Sequence, residues 1–125
     1  MTVDGPGRMR LARAMRLQKT REFARIRNEG RRSVRGCLVV NWMLLTPGSI
    51  CRVGLITTKK LGKAIIRTRA RRLLRETFRL HQHDFRQPVA MVLVARASII
   101  GKKLADVERD FVTLLRQANL LKETK

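Results

Sequence analysis

Apolar residues recur at two different spacings along the chain, and the spacing predicts where helices and strands lie. Near the start, Thr20 can cap a helix that ends near Gly30, with Leu17, Phe23 and Ile26 on its apolar face. A second helical pattern begins at Leu104. Its apolar positions keep spacings of three and four and form one stripe: Val107, Phe111, Leu114, Leu115, Ala118 and Leu121. These patterns predict a first and a last helix that each pack one side on a core.

Between these helices lie three apolar stretches rich in β-branched residues, which predict strands. The first covers residues 34–45, after a short strand near 31–33. A Thr-Pro-Gly-Ser turn signal at 46–49 separates it from a strand at 51–58, which we expect to pair back as a hairpin. Residues 89–95 are apolar throughout, which predicts a strand buried on both faces. With a further helix before that last strand, the order is α-β-β-β-α-β-α, so the class is α+β or α/β with one sheet.

The further helix, at about residues 63–82, belongs to a segment that is both basic and amphipathic. Nine of the 21 residues from Lys59 to Arg79 are Lys or Arg, and Glu76 is the one acidic residue among them. At helical spacing, one side carries Ile66, Ala70, Leu73, Leu74 and Thr77, and the other carries Arg67, Arg71, Arg72, Arg75 and Arg79. Arginine makes planar, bidentate contacts with phosphate. The segment therefore predicts a helix that packs on a core and presents guanidinium groups to a nucleic acid.

The overall charge also favours a polyanionic partner. The 125 residues include 29 Lys or Arg against 9 Asp or Glu, which gives a formal net charge of +20. A soluble domain of this size needs a net charge of only about 2–8. A bound polyanion would offset the self-repulsion of the excess. A membrane partner is disfavoured because the apolar side of the basic helix is committed to the core, and DNA is disfavoured because no compact helix-turn-helix spacing appears.

Targeting signals are hard to find in the sequence. No apolar run approaches the roughly 20 residues that span a bilayer, and the first residues lack the apolar stretch of a secretory signal. The arginine-rich residues 8–19 leave a transit peptide as a minor alternative. The two cysteines, Cys37 and Cys51, fit a reducing cytoplasm. We expect a cytoplasmic protein, with a disordered basic arm at 1–16, one domain at 17–121 and a flexible tail at 122–125.

The sequence offers little chemistry of its own. It contains no carboxylate pair in an acid/base pattern, no nucleophile motif and no glycine-rich phosphate loop. His81 and His83 form a His-x-His pair, but residues two apart on a helix do not share a face, so surface histidines are favoured over a zinc site. Phe23 and Trp42 are candidates for stacking on bases, although core packing is favoured for both. We therefore predict no catalytic residue and no metal ligand.

Residues 52–82 closely resemble the signature of the protein subunit of bacterial ribonuclease P. That family has a strand ending in Ser-Lys-Lys, a Gly-(Asn/Lys)-Ala turn, and a helix carrying Arg-Asn-Arg-x-(Lys/Arg)-Arg-x-(Leu/Ile)-(Leu/Ile)-Arg. The matching stretches here are Thr58-Lys59-Lys60, Gly62-Lys63-Ala64 and the run from Arg67 to Arg75. The resemblance covers about residues 17–120, with further support from Phe23, Gly30-Arg31-Arg32 and Ala95-Arg96.

The resemblance implies both a fold and a function. The fold is α+β, a single four-stranded sheet with three helices of the ribosomal protein S5 domain 2-like type, with a left-handed β-α-β crossover. The function is 5′ maturation of tRNA by a ribonucleoprotein endoribonuclease, in which the RNA subunit hydrolyses the phosphodiester with Mg²⁺. The protein binds that catalytic RNA and the 5′ leader of precursor tRNA. The alternative is a structural RNA-binding protein, such as a small ribosomal component, which would give no specific aid to precursor cleavage.

The resemblance also assigns residues to two surfaces. The catalytic RNA would contact the basic helix and the link before it: Lys59, Lys60, Lys63, Arg67, Thr68, Arg69, Arg71, Arg72 and Arg75. The leader would lie in a cleft between the first helix and the sheet, lined by Phe23, Arg27, Val40, Thr57 and Arg96.

Several positions depart from the family pattern. Thr68 stands where the family usually has Asn, and Arg27 stands where many members have a second aromatic residue. Cys37 and Val40 replace aromatic residues that are common in the second strand. We therefore expect leader binding to depend more on charge and less on stacking than is usual, with a steep dependence on salt.

Overall fold

The structure, a computed structural model, describes residues 16–17 and 20–122, which form three helices and one mixed four-stranded sheet. The helices are α1 (Thr20–Glu29), α2 (Ala64–His81) and α3 (Leu104–Gln117). The strands are β1 (Arg31–Arg35), β2 (Leu38–Leu44), β3 (Arg52–Ile56) and β4 (Val89–Ala95). Short 3₁₀ turns at Lys59–Leu61 and Ala97–Ile99 lie shortly before α2 and α3. The predicted element order is confirmed, and the class is α+β.

Strand β4 lies inside the sheet, in the order β1-β2-β4-β3. It runs antiparallel to β2 and parallel to β3. The predicted hairpin between the strands at 34–45 and 51–58 is therefore wrong, because β3 pairs with β4 after the chain has passed through α2. A strand that is apolar on both faces is best placed between two neighbours, and β4 separates β2 from β3 for this reason.

A tight turn at Gly36 divides the stretch that the sequence predicts as one strand over residues 34–45. Gly36 has φ +53°, and the strands on either side of it, β1 and β2, form an antiparallel hairpin. The Asp110 Oδ2 atom of α3 accepts a hydrogen bond from the Cys37 backbone N–H at 3.1 Å, and a Cβ atom at Gly36 would collide with this carboxylate. Glycine is therefore needed here for both conformation and space.

The sheet separates two hydrophobic layers, and alternate residues of β4 point into each. Helices α2 and α3 cover one face, where Met91 packs with Phe78 and Phe111. Helix α1 covers the other face, where Ile26 packs with Val92. The two sides of the sheet therefore present different surfaces to a partner.

Both ends of the described chain are bound to the fold. The Leu17 backbone N–H donates to the Val53 carbonyl at 2.8 Å, and Arg16 forms a parallel bridge with the same residue. Arg16 therefore does not belong to a disordered arm, while the rest of the predicted arm, residues 1–15, lies outside the described residues. At the other end, the Lys122 backbone N–H donates to the Asp84 carbonyl at 2.8 Å. Residues 123–125 of the predicted tail also lie outside the described residues.

Candidate nucleic-acid interface

Helix α2 is amphipathic, and its packed side determines which residues face outward. Ala70, Leu74, Thr77 and Phe78 are buried. The Thr77 hydroxyl donates to the Leu73 carbonyl at 2.8 Å, so the polar group is satisfied within the helix. The opposite side of the helix presents three exposed arginines, Arg71, Arg72 and Arg75.

Neutral groups hold two arginines of α2 in place. The Arg71 Nη2 atom donates to the Thr57 hydroxyl at 3.1 Å, and the Arg69 Nη2 atom donates to the Lys102 carbonyl at 2.7 Å. Neither acceptor is negatively charged, so each guanidinium is oriented while its charge stays available to a phosphate group. Arg79 differs, because its Nε atom lies 2.5 Å from a carboxylate oxygen of Glu76.

Arg67 lies at the boundary between the packed and exposed sides of α2. It is half-buried, and its Nε atom is enclosed without a hydrogen-bond partner among the described residues. The prediction that Arg67 faces outward together with Arg71 and Arg75 is therefore wrong for Arg67. Its aliphatic stem borders the core, as the stems of long basic side chains often do.

The residues before α2 extend the basic surface. Lys59 and Lys60 lie in the first 3₁₀ turn, Lys63 is the N-cap of α2, and all three are exposed. Thr68 is also exposed and borders an apolar groove of about 560 Å³ between α2 and the start of α3. The structure thus brings the residues predicted to bind the catalytic RNA onto α2 and the turn before it. Contact with RNA itself stays a prediction.

A second basic concavity, the α1 groove, lies between α1 and the sheet. Its volume is about 400 Å³, and its lining residues are Ala24, Arg27, Asn28, Arg32, Val39, Asn41 and Val94. Arg27 therefore lies where the sequence places it. Phe23, also predicted for this cleft, is not among the lining residues of the groove. It packs in the hydrophobic layer under α1 and on Gly54 of β3, where an added Cβ atom would collide with the ring.

Three other residues predicted for this cleft lie elsewhere. Val40 is only 1% exposed and packs in the layer beneath α2 and α3, so its placement in the cleft is wrong. Thr57 is bonded to Arg71 and so lies with α2. Arg96 is exposed, but its Nη1 atom donates to the Gly36 carbonyl at 3.1 Å, which holds it at the β1–β2 turn.

Sequence reasoning missed Arg32 and Asn41, which line the α1 groove directly. The two residues are paired across β1 and β2, so their side chains lie on the same face of the sheet. Side chains alternate along a strand, so Val39 and Asn41 face the groove when Val40 faces the core. With a turn placed at Gly36, the alternation of side chains along β1 and β2 assigns Arg32 and Asn41 to this face of the sheet.

His81 is paired with carboxylates. Its Nδ1 atom lies 2.8 Å from Asp84 Oδ2, and its Nε2 atom lies 2.8 Å from Glu108 Oε2. The prediction of two surface histidines therefore holds for exposed His83 and not for half-buried His81. Over residues 16–17 and 20–122, no three or more His, Cys, Asp or Glu residues are grouped to hold a metal ion.

An exposed arginine helix and a basic groove on the two sides of a mixed sheet define a small polyanion-binding protein of the α+β class. Among the helices that the structure describes, none combines the length and apolar character needed to cross a membrane. The chain belongs to the ribonuclease P protein family, whose members act in tRNA processing, because the family model described as Ribonuclease P matches residues 11–119.

Relatives and solved structures agree with this assignment. The chain is 31% identical over 106 residues to the ribonuclease P protein component of Alkaliphilus oremlandii, covering 85% of this chain and 92% of the relative. It is 32% identical over 108 residues to that of Caldanaerobacter subterraneus, covering 86% and 92%.

Two solved structures share the fold. The RNase P protein of Staphylococcus aureus matches with a TM-score of 0.78 at 24% identity, covering 88% of this chain and all of the other. The RNase P protein of Thermotoga maritima matches with a TM-score of 0.71 at 25% identity, covering 82% and 96%. The three helices and four strands are therefore the fold of this family.

Proposed function

We propose that this chain binds the catalytic RNA of ribonuclease P through α2 and the 5′ leader of precursor tRNA through the α1 groove. The observation that carries the proposal is the outward row of Arg71, Arg72 and Arg75 on a helix whose other side is fixed in the core. A rigid helix presents these guanidinium groups at constant spacing, which suits a folded RNA better than a disordered basic segment would.

In this proposal the protein has a binding role and no bond-breaking role. The RNA subunit, with the Mg²⁺ that it holds, supplies the hydrolysis of the phosphodiester. The protein neutralises phosphate charge and retains the substrate leader next to the RNA. The two surfaces lie on opposite sides of the sheet, so RNA bound at α2 leaves the α1 groove accessible to a single strand. The protein functions in the cytoplasm, where its RNA partners are made.

Reconstitution tests the proposal. The chain is mixed with bacterial ribonuclease P RNA at low Mg²⁺, and cleavage of precursor tRNA is followed with a short or a long leader. We expect the protein to accelerate 5′ cleavage, and to do so more for the long leader because only that leader can fill the α1 groove. Binding of the RNA without acceleration would instead indicate a structural RNA-binding protein. Equal acceleration of both substrates would remove the groove from the proposal.

A further inference from the structure

Three apolar side chains line the α2–α3 groove, the concavity of about 560 Å³ between α2 and the start of α3. Leu73 and Leu104 are half-buried, whereas Ile65 is 76% exposed, the most of any large hydrophobic residue in the described chain. A single apolar residue on a protein surface needs no explanation, but apolar side chains that meet in one groove commonly mark a binding site. The volume lies in the range of about 300–1,000 Å³ that is typical of ligand sites.

The fold does not account for an isoleucine at position 65. Its neighbour Ile66 packs against the core, but Ile65 belongs to neither hydrophobic layer of the described chain. Isoleucine and serine have similar helix propensities, so a polar residue would serve α2 equally well at this exposed position. Ile65 is therefore placed to contact a partner.

The α2–α3 groove is continuous with the basic surface of α2. Arg69 and Arg72 line it together with Ile65, and the bond from Arg69 to the Lys102 carbonyl at 2.7 Å orients one guanidinium at the groove. The one acidic residue of the lining, Glu76, is paired with Arg79 at 2.5 Å, which offsets its negative charge. An anion bound to these arginines therefore lies next to the apolar side chains.

An RNA nucleotide combines the two chemical properties that this groove can bind. Its phosphate pairs with a guanidinium, and the flat face of its base packs on an apolar side chain or on the plane of an arginine. The faces of paired bases are covered by stacking inside a helix, so only an unpaired base can enter a groove. The exposed Thr68 hydroxyl, also in the lining, can donate to or accept from a base edge.

We propose that an unpaired base of the catalytic RNA inserts into the α2–α3 groove and packs on Ile65, while Arg69 and Arg72 bind the phosphates beside it. The inference rests on the proposed function, because it takes the catalytic RNA as the partner of α2. Ile65 is then a binding residue that contributes affinity through apolar contact, in addition to the charge contacts of the arginines.

Titration of the catalytic RNA at several salt concentrations tests the apolar contact. Ile65→Ser should weaken binding about 5- to 10-fold, because the base no longer covers an apolar side chain. The slope of log K against log salt should stay unchanged, since no charge is removed, whereas Arg72→Ala should make it shallower by about 0.7–0.9. Ile65→Val should bind nearly as well as the wild type. Ile50→Ser is the matched control, because Ile50 is 57% exposed and lies before β3, away from α2.

Chemical probing of the RNA tests for the inserted base. Dimethyl sulfate and a carbodiimide, which together report on all four bases, are applied to the catalytic RNA at saturating protein. The wild-type protein and Ile65→Val should protect an unpaired base that becomes reactive with Ile65→Ser, while the rest of the footprint stays the same. Loss of that one protection would locate the base that occupies the groove.

The possible failures are distinguishable. If Ile65→Ser binds as the wild type does, if Ile50→Ser weakens binding equally, or if no base changes its reactivity, the groove does not hold a base and the proposed function stands; a protein partner would then be the occupant to seek. If the wild-type protein does not bind the catalytic RNA, the proposed function itself fails. Ile65→Ser should unfold at the wild-type melting temperature, and a lower one would overturn the inference by showing that Ile65 serves the fold.

Discussion

The double variant Arg72→Ala and Arg75→Ala tests whether α2 is an RNA-binding surface. Both side chains are exposed, and neither makes a hydrogen bond or ion pair within the described part of the protein. Their removal should leave the fold intact, because exposed substitutions of this kind change the free energy of unfolding by less than about 0.5 kcal/mol. Any loss of RNA binding then reports lost contacts and not lost structure.

The expected size of the effect follows from the number of phosphate contacts removed. Each contact contributes about 0.9 to the slope of log K against log salt on a duplex, and about 0.7 on a single strand. Two lost contacts should therefore make the slope shallower by about 1.4–1.8. Between about 50 and 200 mM salt, the affinity of the wild-type protein should fall about 7- to 12-fold more than the affinity of the variant.

The assay is a titration of the catalytic RNA at several salt concentrations, with thermal unfolding of each protein measured in parallel. Arg35→Ala with Arg116→Ala is the matched control, because it removes the same charge from exposed positions outside α2. An unchanged slope in the α2 variant, or the same decrease in the control, would refute the reasoning. The first result would mean that α2 does not contact phosphate, and the second that net charge alone governs binding.

Three further variants or reactions test the packing around the two surfaces. Gly54→Ala should lower the free energy of unfolding by about 1–3 kcal/mol in urea denaturation, because the new methyl group displaces the Phe23 ring. Burial is the larger cause and the side-chain hydrogen bond with Asp110 the second cause that raise the pKa of the Cys37 thiol to about 11. Only about one molecule in a thousand therefore carries the reactive thiolate at pH 8. Mass spectrometry should find Cys37 unalkylated in native protein and alkylated after unfolding. Phe78→Ala should cost about 3–5 kcal/mol, because the ring is fully buried against Phe85, and a smaller loss by calorimetry would contradict the packing of α2.

Secondary structure was readable from the sequence where one periodicity persists over many residues. The stripe from Leu104 onward and the apolar run at 89–95 correspond to α3 and β4. The pairing of strands was not readable, because a turn signal at 46–49 indicates that the chain reverses but not which strand comes to lie beside it. Strand β3 lies beside β4, and these two strands are distant in sequence. The apolar character of β4, which favours a neighbour on each side, decides this position.

In the candidate site too, residues placed by the local helical pattern could be predicted, and residues placed by the pairing of strands could not. The exposed positions of Arg71, Arg72 and Arg75 follow from helical spacing alone, whereas Arg67 and Arg79, also predicted to face outward, are half-buried. The α1 groove depends on the register of β2, where an error of one residue exchanges the two faces of the sheet. The resemblance assigns Val40 to the cleft, whereas in the structure Val39 and Asn41 face the groove and Val40 faces the other layer. The turn at Gly36 sets this register, and the sequence gives no strong turn signal there.

The way in which this protein holds its arginines is suited to binding a polyanion. The positive charge of an arginine paired with an acid, such as Arg25 with Glu29, is offset by the negative charge of its partner. Others are fixed by uncharged acceptors instead: Arg69 by the Lys102 carbonyl, Arg71 by the Thr57 hydroxyl and Arg96 by the Gly36 carbonyl. A guanidinium has five N–H donors, so one bond to a neutral oxygen orients the group and leaves both its charge and its other donors for phosphate. Such preorganisation reduces the entropy lost on binding, and it explains how a chain with a net charge of +20 can direct part of that charge at one ligand.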